Sequence, residues 1–223
     1  MEKEQTEQAG TGDKIAYFIQ KHRKALLALV IIIASGIAFS VTFFTIHGTL
    51  EKKAIAKVEV FERRMNEQGI PNGGTDSAEA NALLGELNDF APSTFGYAAA
   101  RAYSLAADIY FSRSEWSRAE ESWVNAARKA PKIYMAPVSL FNAAVAAEEQ
   151  GKLDAAIGYF KESLDYSGVY PAAARARFNI GRIYDQRREY DKAREAYLEL
   201  IEKSPESPWA NLAHNRLIIL ENN

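Results

Sequence analysis

Three stretches of the chain repeat one another at a spacing of 37 residues, and this register limits the fold more than any single motif. Ala119, Ala156 and Ala193 share one position, and Trp123, Phe160 and Tyr197 follow each four residues later. Trp116, Leu153 and Tyr190 coincide, as do Ala107, Ala144 and Gly181, and Tyr110, Ala147 and Tyr184. The closing position reads Pro131, Gly168 and Pro205. Self-similarity at a fixed period of a few tens of residues marks a stack of supersecondary units, each burying its apolar face against the next.

Each unit reads as two helices, for instance ARFNIGRIYDQR (176–187) followed by YDKAREAYLELIEKS (190–204). Antiparallel helices approach closely where small residues meet, so Gly181 is expected opposite Ala193, and Ala144 opposite Ala156. The aromatic one turn later is expected to fill the wedge between one hairpin and the next. Pro131 and Pro205 cannot sit in a helix interior and end the second helices. Asp154 and Asp191 stand where the positive end of the helix dipole favours a carboxylate.

These residues resemble a tetratricopeptide repeat array, whose unit of about 34 residues carries Trp-x2-Leu-Gly-x2-Tyr, Ala-x3-Phe and Pro. The unit at 174–207 matches at Ile180, Gly181, Tyr184, Tyr190, Ala193, Tyr197 and Pro205, and departs at Arg177 and Leu200. The middle unit has Ala144 for the Gly and Ala147 for the Tyr, and YSGVYP (166–171) is the expected seat of the extra residues. A degenerate earlier unit has Ala80, Leu84, Leu87 and Pro92 in register, its first helix displaced by GIPNGGTDS (69–77). The tail SPWANLAHNRLIILEN (207–222) reads as a capping helix with Trp209, Leu212, Leu217 and Leu220 inward and a polar outer face.

Ala25 to Ile46 is a run of 22 residues without a charge. At about 1.5 Å per residue it reaches roughly 33 Å, enough for a hydrocarbon core of about 30 Å. The run exceeds a signal-peptide core and no small-x-small site follows it, so an uncleaved anchor is expected. Lys21, Arg23 and Lys24 at its first edge favour a cytoplasmic start, although Lys52, Lys53 and Lys57 flank the other edge almost equally. DKIAYFIQKHRK (13–24) reads either as a short interfacial helix or as the frayed start of the span. Ala34/Ala38 and Gly36/Ser40 are small-xxx-small pairs of the kind that supports helix pairing, and hence a homo-oligomer. The expected class is all-α. A basic, polar tail (1–24) leads to a transmembrane helix (25–46), then linking helices with the degenerate repeat (47–93). An α-solenoid of three to four hairpins with its cap (94–223) follows.

Composition narrows the function. The chain lacks cysteine, which removes disulfides, thiolate metal sites and cysteine nucleophiles. From Pro92 onward basic and acidic residues balance without basic clustering, which argues against nucleic acid. His22, His47 and His214 are scattered without metal-ligand spacing, and GIPNGGTDS lacks the Gly-Lys-Ser/Thr ending of a phosphate loop. Acidic pairs such as Glu120/Glu121 and Glu148/Glu149 read as exposed helix residues. No enzyme, metal or cofactor is expected.

The family resemblance implies a concave groove lined by the first helix of each unit. Its positions here are Arg101, Ser104, Leu105 and Asp108, then Val138, Phe141, Asn142 and Val145, then Arg175, Phe178, Asn179 and Arg182. Such a groove suits an extended peptide, held by amides and apolar pockets; the alternative places the aromatics partly in the core and leaves the asparagines solvated. Family members that clamp carboxylate termini use Lys and Asn where this chain has Ser104 and Asp108, and an aspartate there repels a carboxylate. The whole layout, including IQKHRKALLALV, is similar to the ancillary subunit of the bacterial Sec translocon. That resemblance implies a single-pass inner-membrane protein, N-terminus cytoplasmic and repeat domain periplasmic, that binds chaperones or exported chains. The alternative is a self-assembling repeat protein of the envelope or division machinery.

Overall fold

The structure is a computed structural model describing residues 11–69, 77–166 and 170–221. Residues 1–10, most of GIPNGGTDS and the centre of YSGVYP with Gly168 lie outside the described residues. All the regular structure described is α-helical. Nine helices follow in order: α1 (Thr11–Glu67), α2 (Ala78–Ser93), α3 (Gly96–Ser112), α4 (Trp116–Lys129), α5 (Met135–Glu149), α6 (Leu153–Leu164), α7 (Ala173–Gln186), α8 (Tyr190–Lys203) and α9 (Pro208–Glu221). Contacts divide the chain into two units, one ending at Leu50 and one beginning at Glu51.

In the first unit, the stretch from Asp13 to Lys24 is continuous helix with the apolar run. Among the described residues, α1 is the one helix long and apolar enough to cross a membrane by length and composition, with a mean hydropathy of 2.6 in its most apolar window. Its apolar side chains stand exposed all round, Phe39 at 72% and Ile32 at 68%. The hydroxyls of Ser40, Thr42 and Thr45 donate to the carbonyls of Gly36, Ala38 and Val41 at 2.8–2.9 Å, so their polarity is satisfied inside the helix.

In the second unit the register becomes geometry. Trp116, Leu153 and Tyr190 each open the second helix of a hairpin: α3/α4, α5/α6 and α7/α8. The turns are alike. Ser114, Gly151 and Arg188 all hold positive φ, at 59°, 71° and 61°. The next N–H, of Glu115, Lys152 and Glu189, then reaches back to the carbonyl of Tyr110, Ala147 and Tyr184 at 2.9 Å each. This is the left-handed closure that satisfies the last carbonyls of a helix. Only Gly151 adopts it without a Cβ penalty.

The aromatics of the second helices meet both their own hairpin and the next one. Trp123, Phe160 and Tyr197 are buried, each in a core that also holds residues of the next first helix: Ala143 of α5, Ala176 of α7 and Ala213 of α9 respectively. Phe160 meets Phe141 of α5 edge-to-face at 5.1 Å, and Tyr197 meets Phe178 of α7 at 5.7 Å. A Cβ placed on Gly181 would come within 2.6 Å of the Tyr197 ring, so the small residue makes room for the aromatic of the facing helix. In α3 the place of Phe141 and Phe178 is taken by Ser104, and Phe111 approaches Trp123 instead, at 5.3 Å. An aromatic ring is the larger body to accommodate, and only a residue without a side chain leaves it room at this separation.

Both ends of the stack differ from expectation. The part of α1 from Glu51 onward packs with α2: Val58, Phe61 and Met65 join Leu83, Leu84 and Leu87 in one core with α3. Phe61 and Phe90 meet edge-to-face at 5.5 Å, and Arg64 reaches Glu86 at 2.9 Å. At the far end, Ala102, Ser139, Ala176 and Ala213 are all buried, as are Ile109, Ala146, Ile183 and Leu220. α9 therefore buries the same face as α3, α5 and α7. Leu220 lies inward and Leu217 and Trp209 partly so, but Leu212 is 45% exposed and Ile219 46%, and the outward surface of the cap is not uniformly polar.

Gly181→Val drives two methyl groups at a buried ring and is expected to cost about 1–3 kcal/mol. Arg188→Gly relieves a left-handed residue and is expected to be neutral or to gain up to about 1 kcal/mol. Urea unfolding of the two variants checks both signs.

Candidate functional site

The first helices share a face built of three rows, each repeating at the 37-residue register. Arg101, Val138, Arg175 and Leu212 form one row; Leu105, Asn142, Asn179 and Arg216 the second; Asp108, Val145, Arg182 and Ile219 the third. A helix side chain returns to the same face after seven residues, so α3, α5, α7 and α9 each give every row one residue.

The expected groove residues fall into three states. Leu105 and Phe141 are buried, at 2% and 6%, and belong to the core beneath the face. The reading that placed the aromatics partly in the core therefore describes Phe141, whose ring is held by Phe160. Phe178 is half-buried between Tyr197 and Trp209, at 5.7 and 5.3 Å. Arg101 and Arg182 are engaged as ion pairs, Arg101 with Glu62 of α1 and Arg182 with Glu148 of α5. The Arg182 fork is bidentate, at 2.7 and 2.6 Å, and this hydrogen bonding raises the guanidinium pKa further. The remaining residues are accessible in part. Arg175 lies over the rings of Phe141 and Trp209 at 5.0 and 5.7 Å, a cation held by two π-faces. Asn142, Val145 and Asn179 are half-buried, and neither amide has a hydrogen-bond partner among the described residues. Of the other two positions, Ser104 is buried 3.5 Å from Ser139, oxygen to oxygen, and Val138 is 41% exposed.

Two acids read as plain surface have structural partners. Glu148 holds Arg182, and Glu120 is half-buried, accepting from Gln150 at 2.8 Å, Lys152 at 3.0 Å and Tyr159 at 3.2 Å. Asp185, one register on from Glu148, pairs with Arg216 of α9, whose Nε donates at 3.0 Å. The recurrence of an acid at 148 and 185 was the available signal. Trp209, expected in the cap interior, packs there in part and also forms part of the aromatic bed under Arg175. Among the described residues, no group of three His, Asp or Glu side chains converges to hold a metal ion.

The tetratricopeptide repeat family matches residues 141–208. A TPR repeat-containing protein of Treponema pallidum (strain Nichols) is 30% identical, over 93% of each chain. The chain belongs to the tetratricopeptide repeat family. The match begins within α5 and closes at the first residue of α9, so it takes in the α7/α8 hairpin that carries the fullest set of family positions.

In this tetratricopeptide domain Asp108 has the most perturbed carboxyl among the face residues. Burial pushes its pKa up to about 6, and Arg101, already paired with Glu62, lowers it only in part. A raised carboxyl pKa means that the folded chain binds the proton more tightly than the unfolded chain between about pH 4 and pH 6. Stability is therefore greatest below the unfolded value and falls as pH rises through 6. Asp108→Asn is expected to gain about 1–3 kcal/mol at pH 8, with the gain gone below pH 4. Urea midpoints of both proteins across that range provide the check.

Proposed function

We propose that the chain is a membrane-anchored scaffold that binds extended polypeptides along its first helices. One observation carries the reading: Asn142 and Asn179 present, in register, amides without a hydrogen-bond partner among the described residues, flanked by Arg175 fixed over Phe141 and Trp209. An amide offers both a donor and an acceptor, which is what the backbone of an extended segment needs every second residue. Val138, Val145, Leu212 and Ile219 supply apolar contact on either side. Because Arg175 is already stacked, little rotamer freedom remains to be lost when a ligand arrives.

The anchor reading rests on the uncharged run of α1 and on hydroxyls bonded within the helix. It places the repeat domain at a membrane surface, with the N-terminus cytoplasmic and the repeats outside the cytoplasm of a bacterial cell. There the partners are chains emerging into the envelope or the chaperones that meet them. The link to protein export rests on the layout of anchor and repeats.

A photocrosslinking residue placed at 142 or 179 in membranes is expected to trap polypeptide, whereas one at Leu198 on the outer side of α8 is not. The double change Asn142→Ala/Asn179→Ala removes two amides, each worth about 1 kcal/mol, and is expected to lower capture about tenfold or more. Equal trapping at 142, 179 and 198 would show that the face has no such role.

A further inference from the structure

Successive first helices are joined by carboxylate–guanidinium pairs, with one exception. Glu62 on α1 holds Arg101 on α3, Glu148 on α5 holds Arg182 on α7, and Asp185 on α7 holds Arg216 on α9. The step from α3 to α5 has none. α5, reading MAPVSLFNAAVAAEE, carries neither lysine nor arginine. Asp108 of α3, whose row continues to Val145 on α5, has no hydrogen-bond or ion-pair partner among the described residues. Arg101, the cation that lowers its pKa in part, is already taken by Glu62.

This carboxylate opens onto a pocket of about 290 Å³, lined by Met65 of α1, Leu105 and Phe111 of α3, and Trp123 of α4, together with Glu62 and Arg101. Two carboxylates and one guanidinium leave one negative charge over. The walls combine aromatic and thioether surface with the polar groups of Asn66 and Ser112; the first accommodates a hydrocarbon stem and attracts a cationic head. The volume admits one long side chain.

We propose that the pocket at Asp108 receives a lysine or arginine side chain of a polypeptide bound along the first helices, completing the missing ion pair. The proposal rests on the scaffold reading and adds to it the chemistry of the bound segment. Asn142 lies in the next unit of the middle row, so a segment engaging its amide has a neighbouring residue to present to Asp108. The same pocket excludes acidic side chains, in keeping with the absence of a carboxylate clamp.

The full chain in detergent is incubated with an array of immobilised peptides of varied sequence, and retention is quantified for wild type, Asp108→Asn, and Asn142→Ala/Asn179→Ala. Retained peptides are expected to be enriched in lysine or arginine. Replacing that residue by norleucine should lower retention by wild type at least tenfold. Asp108→Asn, which keeps the shape and removes the charge, should hold the lysine and norleucine peptides equally; circular dichroism confirms its fold. Undiminished discrimination by Asp108→Asn overturns the assignment. So does retention that shows no basic preference yet is lost in the double asparagine variant, an outcome that leaves the scaffold reading standing. If wild type retains no peptide, the scaffold reading falls first and the inference with it.

Discussion

The seat of Tyr197 on Gly181 is the contact on which the last hairpin depends. The ring is fully buried, the glycine leaves no room for a Cβ, and Phe178 closes the side of the ring. Once the ring is seated, the separation and rotation of α7 against α8 are set, and with them the direction in which Arg175, Asn179 and Arg182 leave α7. The α5/α6 hairpin solves the same problem with Ala144 in the small position and Phe160 against Phe141. The α3/α4 hairpin has Ala107 and Trp123, with Phe111 brought in from a different position. A close-packed interior tolerates such variation only where total volume is conserved, and the exchange of Phe for Ser at 104 is met by an aromatic elsewhere.

Beside this apolar packing, successive first helices also interact electrostatically. Glu148 and Asp185 recur in register on α5 and α7, and each reaches forward to a guanidinium on the next first helix. Half-exposed pairs of this kind contribute little to stability. Their larger effect is positional, because a bidentate fork fixes Arg182 and leaves the amides beside it as the available hydrogen-bonding groups. The aromatic bed under Arg175 has the same consequence. A surface whose charges are already oriented loses less entropy on binding than one whose side chains are free.

Much of this architecture was legible because the register is a physical repeat. The second-helix starts at Trp116, Leu153 and Tyr190 and the buried alanines at 119, 156 and 193 followed from periodicity alone. The partner of the aromatic did not, since spacing along one helix does not say which residue of the facing helix lies across from it. The left-handed turn residue has no sequence signal, because Ser114, Gly151 and Arg188 share a conformation without sharing chemistry. For the face, the row positions could be read, but the partners of Arg101 and Arg182 could not. Glu62 is distant in sequence, and Glu148 looked like one of many surface acids. Asn142 and Asn179 were visible from their recurrence. What distinguishes them is that neither amide has a hydrogen-bond partner among the described residues, which the sequence does not show.

The central claim is that the rows of the first helices, and not the second-helix surface, meet other chains. Hydroxyl-radical footprinting of the full chain in membranes, before and after its bound polypeptide is stripped, tests this most directly. The account predicts that Val138, Leu212 and Ile219 gain reactivity on stripping while Leu198 and Tyr190 do not change. Gains confined to Leu198 and Tyr190, with the first-helix rows unaltered, would contradict it.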